Sequence, residues 1–424
     1  MMTSGKMQTM TDPIILVCGF LGPSNEHFSK AYWGDAMSLS TPQSPIFVTN
    51  VSCVGSAHDR ACEAFAHILG VRTDYGKEHS CQHGHKQFGR DFSGDGLHPG
   101  WSSRNPVHLV GHSFGGNTIR YLRYLIATDF FRIGSSNDWV ASTTTLSSPL
   151  KGSLLTYTLG ANQDEDHHQP VKPFSPGYLV GIFVHFHELF GKRFGLDKYL
   201  DFGMSDSFYI QEGGWKLFWQ SFIGGHNGGG TPAVCTKDNA AADMTVAKAS
   251  DLNSKINKTC KFSDSYEFNV IAHTNEIRHS SIFQYLGKQF SRNGENQTFS
   301  DMIWSGIMTT RDFWCSVGAR AMHYASFEDT HVNGQLLSSG TDGLCHVHSQ
   351  HNGGTVITLD QALANPELKR GLYSIYLDDH HNHLSLVPFP NSKNVQKEFF
   401  GKLFAVLRKS LTIDRVNPNT PPFV

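Results

Sequence analysis

The chain has 424 residues, of which 39% are hydrophobic and 17% are charged, a balance that excludes a disordered protein and predicts a large folded core. The 35 Lys and Arg residues are balanced by 37 Asp and Glu residues, so we expect no basic surface and no nucleic-acid partner. No apolar run approaches the roughly 20 residues that a transmembrane helix needs.

Two further features bear on the compartment. Residues 1–12 contain no apolar core of the kind found in signal peptides. The eight cysteines are scattered without a C-x-x-C pair, a spacing that fits free thiols in a reducing compartment. From these features we expect a cytoplasmic protein.

Short apolar runs alternate with helical periodicity along the chain. Residues 13–22 and 45–51 each have the pattern of a buried strand, and residues 106–127 change from strand to helix midway. Residues 139–149 and 266–274 are further β-rich runs. Strands that alternate with helices predict the α/β class, with a mostly parallel central sheet and helices on both faces.

The predicted organisation is a single domain over residues 13–415, with an N-terminal tail at 1–12 and a C-terminal tail at 416–424. Two segments within the domain have the character of insertions, at about 55–95 and 150–262.

The second insertion contains an aromatic stretch, residues 177–194, whose apolar side chains recur on one helical face. A core helix and a mobile lid over an active site explain this pattern equally well. Residues 395–407 carry the periodicity of an amphipathic helix that packs on the domain.

The sequence GHSFG at residues 111–115 is the only G-x-S-x-G in the chain. It follows a predicted strand and opens a predicted helix, which is the context that a nucleophile elbow requires. We therefore predict Ser113 as a nucleophile, with the backbone N–H of Phe114 as one oxyanion donor. The Phe20 N–H, in the turn after the first strand, is the candidate for the second donor.

A nucleophilic serine needs a base and an acid, which follow it in the order Asp or Glu and then His in this kind of fold. Asp342, in a glycine-bracketed loop, is a candidate acid. Three histidines near the C-terminal helix compete as the base: His380, His381 and His383. Position favours His383 without deciding among them.

The stretch KEHSCQHGHKQFGRD at residues 77–91 concentrates histidines and a cysteine. Imidazole and thiolate groups are zinc ligands, but this spacing is not a high-specificity zinc signature. Residue chemistry alone leaves a metal site and a polar loop as equal alternatives.

The segment HDRACEAFAHILGVRTDYGKEHSCQHGHKQFGR at residues 58–90 closely resembles the zinc-binding segment of the thermoalkalophilic bacterial lipases of the Geobacillus type, lipase family I.5. That family has W-D-R-A-C-E-A-Y, then D-Y-G, then H-x-x-x-H-G-H-x-R-F-G-R. The resemblance extends to AYWGD at residues 31–35 and to residues 236–253, and it is loose over the predicted lid. It implies the α/β-hydrolase fold.

Carried over residue by residue, the resemblance implies four zinc ligands: Asp59, His79, His85 and Asp238. Two imidazoles and two carboxylates complete a four-coordinate shell with no position for water, which is typical of a structural zinc. His83 and Cys81 then become bystanders or neighbours of the ligands.

The resemblance also implies Ser113, Asp342 and His383 as a catalytic triad, with oxyanion donors on Phe20 and Phe114. At the position where the family has a calcium-binding Glu, this chain has Ser385, which is a poor Ca²⁺ ligand, so we expect the calcium site to be absent or weak.

The sequence therefore predicts a serine carboxylester hydrolase, a triacylglycerol lipase acting on a lipid or ester substrate at a lipid–water interface. The alternatives are a short-chain esterase of the same fold, a zinc-dependent metallohydrolase, and a binding protein that has kept the fold without the activity.

Overall fold

The computed structural model describes residues 12–24, 26–161, 237–273, 340–378, 383–387 and 393–416, with shorter pieces at 172, 175, 177–179, 187, 330–332, 335–337 and 381. The predicted aromatic stretch at residues 177–194 lies almost wholly outside these residues, as does the tail at 1–12.

The central element is a seven-stranded sheet in which every pair of neighbours is parallel. The strands of the described chain are β1 (Ile14–Val17), β2 (Ile46–Val48), β3 (Arg72–Asp74), β4 (Phe88–Asp91), β5 (Val107–His112), β6 (Val140–Leu146), β7 (Tyr266–Ile271), β8 (Thr330–Val332), β9 (Gln335–Leu337), β10 (Thr355–Val356) and β11 (Gly371–Tyr376). The order in the sheet is β10-β11-β7-β6-β5-β1-β2, and β3-β4 and β8-β9 form two separate antiparallel pairs.

Helices connect these strands. Their bounds are α1 (Glu26–Trp33), α2 (Ala57–Leu69), α3 (Lys77–His83), α4 (Phe114–Ala127), α5 (Leu155–Thr158), α6 (Ala240–Asp243), α7 (Val246–Thr259), α8 (Val347–Gln350), α9 (Leu359–Ala364) and α10 (Lys393–Val416). The predicted α/β class with a parallel sheet is confirmed.

Hydrophobic side chains cover both faces of the sheet. Strand β1 shows why its sequence is uniformly apolar: alternate side chains point to opposite faces, and both faces are buried. Ile14 and Leu16 join one cluster with α1 and α10, whereas Ile15 and Val17 join another with α2 and α4. Helices therefore pack on both faces of the sheet, as the sequence predicted.

The C-terminal helix α10 confirms the amphipathic pattern at residues 395–407, and it reaches Val416, one residue into the predicted tail. Phe400, Leu403 and Leu407 are fully buried against the sheet. Although α10 has 24 residues, no helix in the described part of the chain is long and apolar enough to cross a membrane.

Candidate active site and metal cluster

Ser113 lies in the turn between β5 and α4, at the carboxyl end of a central strand. Its φ of 55° and ψ of −130° place a non-glycine residue in a sparsely populated region, at a cost of about 1–3 kcal/mol. The Ser113 N–H donates to the carbonyl of Leu146 at 2.8 Å, which ties the turn to β6. This hydrogen bond to β6 therefore helps to keep the Ser113 backbone in its strained conformation.

The two glycines of the GHSFG sequence are required by close backbone approach. A Cβ atom on Gly111 would lie 2.3 Å from the Gly115 carbonyl oxygen, and one on Gly115 would lie 2.3 Å from the Val17 oxygen. No Cβ atom tolerates such contacts, so the turn can pass over β1 only because both positions lack a side chain.

Three of the predicted site residues form one hydrogen-bonded series. His383 Nε2 lies 2.8 Å from Ser113 Oγ, and His383 Nδ1 lies 2.8 Å from Asp342 Oδ2. Asp342 and His383 are both buried. Because a carboxylate only accepts, His383 Nδ1 carries the proton and Nε2 is left to accept from the Ser113 hydroxyl.

The Asp342 carboxylate is held by four donors in total. Its Oδ1 accepts from the backbone N–H groups of Leu344 at 2.9 Å and Cys345 at 2.7 Å. Its Oδ2 accepts from Gln350 Nε2 at 3.0 Å as well as from His383. The loop thus aims the carboxylate at a single imidazole.

Gln350, at the end of α8, was missed by the sequence analysis. Its amide also donates to the Ala272 carbonyl at 3.0 Å and accepts from the Ala272 N–H at 2.9 Å, just beyond β7. Gln350 therefore fixes Asp342 to the end of the central sheet. The contact with Ala272 joins residues 78 apart, and no local pattern announces it.

The structure also separates the competing histidines. His381 Nδ1 pairs with the exposed carboxylate of Asp378, whereas His383 reaches Ser113. The backbone explains the difference, because the His383 N–H donates to the Asp342 carbonyl at 2.8 Å. His380 lies outside the described residues.

The predicted oxyanion donors belong to segments on either side of Ser113. A Cβ atom on Gly19 would lie 2.8 Å from Ser113 Cβ, so the turn that contains Phe20 runs directly beside the serine. Phe114 is the first residue of α4, where backbone N–H groups have no partner within the helix.

The four predicted zinc ligands form a compact cluster, in which one ligand atom from each residue lies within 4.8 Å of all the others: Asp59, His79, His85 and Asp238. His79 Nε2 is 3.1 Å from Asp59 Oδ1 and 3.2 Å from Asp238 Oδ2. His85 Nε2 is 3.8 Å and 3.3 Å from the same two oxygens. The cluster joins α2, α3 and the turn after α3 to Asp238, two residues before α6.

Local structure explains how two histidines six residues apart converge. Helix α3 ends at Gly84, whose φ of 72° is left-handed and whose N–H donates to the Ser80 carbonyl at 2.9 Å. The chain reverses there, which returns His85 to the side of His79. His85 Nδ1 contacts the Lys86 carbonyl at 2.8 Å, so Nδ1 carries the proton and Nε2 faces the cluster.

The cluster fits a divalent cation with tetrahedral preference. Ligand atoms about 2.0–2.1 Å from a tetrahedral zinc lie about 3.3 Å from one another, close to the separations observed here. Asp59 Oδ2 is buried and has no hydrogen-bond partner among the described residues. Burial, reinforced by the Asp238 carboxylate, raises the pKa of Asp59, a cost that a cation between the two acids would remove.

The neighbours of the cluster differ in role. His58 occupies the position where the resembled family has tryptophan, and its ring stacks on His79 at 3.7 Å between centroids. Burial and the neighbouring His79 lower the pKa of His58 to about 3. The His58 ring is therefore uncharged near neutral pH, and it packs against His79 as an aromatic ring. Cys81 is exposed, and the His83 ring lies 4.5 Å from that of His79.

The family described as "Lipase-like, C-terminal domain" matches residues 10–133. A lipase of Staphylococcus epidermidis is 33% identical over 180 residues, covering 37% of this chain and 26% of that protein. Lipase 1 of Staphylococcus aureus is 27% identical over 280 residues, covering 58% of this chain and 36% of that protein. The chain thus spans about a quarter to a third of the length of these relatives.

Solved structures cover much more of the chain. The Staphylococcus hyicus lipase superposes with a TM-score of 0.64 at 19% identity, covering 98% of this chain and 99% of that one. EstA from Clostridium botulinum gives a TM-score of 0.60 at 20% identity, covering 95% and 89%. The fold is that of an α/β-hydrolase. Within this fold, the chain is similar in sequence to bacterial lipases.

The comparisons correct one prediction. The lack of an apolar core in residues 1–12 and the scattered cysteines led us to expect a cytoplasmic protein, and this is wrong. The staphylococcal lipases that this α/β-hydrolase resembles are secreted enzymes, which points away from the cytoplasm. The six cysteines in the described ranges are indeed free thiols, but free thiols do not define a compartment.

Proposed function

We propose that this α/β-hydrolase is a serine carboxylester hydrolase, and specifically a lipase that acts on acylglycerols at a lipid–water interface. The observation that carries the proposal is the series Ser113–His383–Asp342, with a heavy-atom distance of 2.8 Å at each step. The similarity to bacterial lipases supports the same substrate class.

In the proposed first half-reaction, Ser113 Oγ attacks the ester carbonyl carbon and His383 Nε2 takes the serine proton. Asp342 holds the Nδ1 proton and stabilises the imidazolium that forms. The N–H groups of Phe20 and Phe114 donate to the oxyanion of the tetrahedral intermediate. When the intermediate collapses, His383 gives its proton to the departing alcohol and an acyl-Ser113 ester remains.

In the second half-reaction, water takes the place of the alcohol. His383 removes a proton from the water as its oxygen attacks the acyl carbon, and a second tetrahedral intermediate forms at the same oxyanion position. The proton then passes to Ser113 Oγ as the carboxylic acid leaves. The serine and the imidazole are restored, so one ester and one water give one acid and one alcohol.

For the metal cluster we propose a structural zinc held by Asp59, His79, His85 and Asp238. Bound there, the ion would neutralise two buried carboxylates and link α2 to the segment before α6. The dense resemblance of residues 58–90 supports a Geobacillus-type affiliation for this site. Calcium is not part of the proposal, because Ser385 replaces the family's carboxylate ligand.

Gln350 holds the Asp342 carboxylate through its side-chain amide. Gln350→Met keeps the volume of the side chain but removes the donor to Asp342 and both contacts with Ala272. We expect kcat for ester hydrolysis to fall about 10-fold, because the carboxylate loses its anchor to the sheet. Gln87→Met is the matched control, since Gln87 contacts Asp74 away from Ser113. Equal rates in the two variants would contradict the role given to Gln350.

The decisive test of the proposed function combines covalent labelling with a substrate series. A fluorophosphonate should modify Ser113, located by mass spectrometry of the peptides, with loss of fluoride. p-Nitrophenyl esters from butyrate to palmitate, and emulsified triacylglycerol, then separate a lipase from a short-chain esterase. Turnover of short esters alone would indicate the esterase. Turnover without labelling of Ser113 would indicate the metallohydrolase, and the absence of any turnover would indicate a binding protein.

A further inference from the structure

A second hydrogen-bonded series runs beside the proposed triad, through two residues that the mechanism above does not use. His112, the last residue of β5, is fully buried and its Nε2 lies 2.8 Å from the backbone carbonyl oxygen of His383. A carbonyl only accepts, so His112 Nε2 carries the proton and donates. In the neutral ring His112 Nδ1 is then an acceptor.

Tyr32, at the end of α1, continues the series. Its hydroxyl contacts His112 Nδ1 and therefore donates its proton there. The Tyr32 oxygen in turn accepts from the Gly19 N–H at 3.2 Å. Donors and acceptors thus run in one direction, from the Gly19 amide through Tyr32 and His112 to the His383 carbonyl.

The two ends of this series lie at the turn that carries the proposed oxyanion donor and at the backbone of the proposed base, His383. Gly19 immediately precedes the oxyanion donor Phe20, and its Cα faces Ser113 Cβ closely enough that no side chain fits between them. At the other end, the His383 peptide groups are fixed on both sides. Its N–H donates to the Asp342 carbonyl at 2.8 Å, and its C=O accepts from His112.

Packing holds the two bridging rings in place. The Tyr32 ring is 4% exposed and contacts Trp33 and His112 edge-on, at centroid distances of 5.6 Å and 5.7 Å. The His112 ring lies 4.9 Å from the His383 ring. Because Tyr32 is held by its ring as well as by its hydroxyl, Tyr32→Phe can remove the hydrogen bond without opening a cavity.

We propose that Tyr32 and His112 are positioning residues that set the oxyanion turn at a fixed distance from the catalytic base, an inference that rests on the proposed ester hydrolase. In the proposed mechanism neither residue exchanges a proton with the substrate or with Ser113 Oγ. They act through Gly19 on the Phe20 donor and through the backbone of His383 on its imidazole. Misplacement of a catalytic group by about 1 Å costs about 100-fold in rate, so a bridge that prevents partial displacement has a measurable effect.

The test uses Tyr32→Phe, His112→Leu and His112→Gln in the full chain, with steady-state kinetics on a soluble ester and thermal melting of each variant. We expect kcat to fall between about 5-fold and 50-fold in Tyr32→Phe and His112→Leu, with KM within about 2-fold of wild type. His112→Gln keeps an N–H donor for the His383 carbonyl and should recover most of the loss. The rate of fluorophosphonate labelling should fall in parallel with kcat.

The controls are matched by residue type and burial. His108→Leu removes a buried histidine from the same strand, whose partner is Ser142, and Tyr266→Phe removes a buried hydroxyl bonded to the Leu368 carbonyl. These variants should melt at lower temperature without the loss in kcat. The double variant Tyr32→Phe/His112→Leu should be no slower than the worse single variant, because one series is broken in either case.

The inference is overturned if Tyr32→Phe and His112→Leu keep wild-type kcat, or if they lose no more than their controls. Failure of the proposed function looks different. If the proposed function were wrong, the wild-type protein would show no ester turnover and no labelling of Ser113. The positioning role of Tyr32 and His112 would then be wrong as well.

Discussion

Replacing Ser113 with alanine is expected to lower kcat for ester hydrolysis by about 10⁴–10⁶-fold while leaving the fold and the zinc content unchanged. The side chain is the nucleophile in the proposed mechanism, and its hydroxyl oxygen lies 2.8 Å from His383 Nε2. Alanine removes one oxygen atom and leaves the strained backbone turn intact. Ester hydrolysis with titrated soluble substrate measures the loss, and elemental analysis measures the zinc.

The matched control is Ser410→Ala. Ser410 is also fully buried, but its hydroxyl donates to the Leu407 carbonyl within α10, far along the chain from the proposed triad. We expect this variant to keep wild-type kcat and full labelling by a fluorophosphonate. Ser113→Ala with activity within a few-fold of wild type would refute the serine mechanism and return the metal cluster to consideration as the catalyst.

The sequence alone could predict those parts of the site that local chain geometry determines. The G-x-S-x-G pattern requires a strand before it and a helix after it, and the structure has β5 and α4 at these positions. The glycine at 111 is a local necessity, because a Cβ atom there would meet the Gly115 backbone within the same turn, whereas the glycine at 115 is required by the approach of the turn to β1. Asp342 and His383 were predicted from their order along the chain, and in the structure His383 lies within hydrogen-bond distance of both Asp342 and Ser113.

Residue patterns could not predict contacts between segments that are distant along the chain. Position in the sequence favours His383 over His381 without deciding between them, and the hydrogen bonds of His383 to Asp342 and Ser113 set the two apart. Tyr32 and His112 are 80 residues apart, and neither belongs to a pattern that predicts their pairing. Nor does any sequence pattern predict the role of Gln350. None of these three residues is a reacting group in the proposed mechanism, so no catalytic motif in the sequence includes them.

The metal cluster shows a third situation, in which a resemblance supplied what spacing could not. His79 and His85 were visible as a dense local group, but Asp59 and Asp238 lie far from them along the chain. The structure brings one side-chain atom of each of the four predicted ligands within 4.8 Å of the others. Direct contacts reinforce the junction there, since the Ala240 N–H donates to the Val54 carbonyl at 3.0 Å and the Ala57 N–H donates to Asp243 at 2.7 Å.

Removal of the metal should therefore destabilise the protein more than it slows the chemistry. A ligand present at about 100 to 1,000 times its Kd stabilises the native state by about 2.7–4.1 kcal/mol, and in a chain of 424 residues such a loss lowers Tm by about 3–5 °C. We expect this decrease after treatment with a chelator and in the variant Asp59→Asn, with zinc falling from about one ion per chain to background. Zinc added back should restore Tm in the chelated wild type.

The control for the metal is Asp243→Asn, because Asp243 is a buried acid on the same segment that is not a ligand and an amide oxygen can still accept from Ala57. This variant should retain zinc and its effect on Tm. Below its melting temperature the zinc-free protein should still be labelled at Ser113, since the ligands lie on α2, near α3 and before α6, whereas the proposed triad lies after β5, before α8 and after β11. If chelation abolished labelling in protein that remained folded, the structural role would be wrong and the metal would belong to the chemistry.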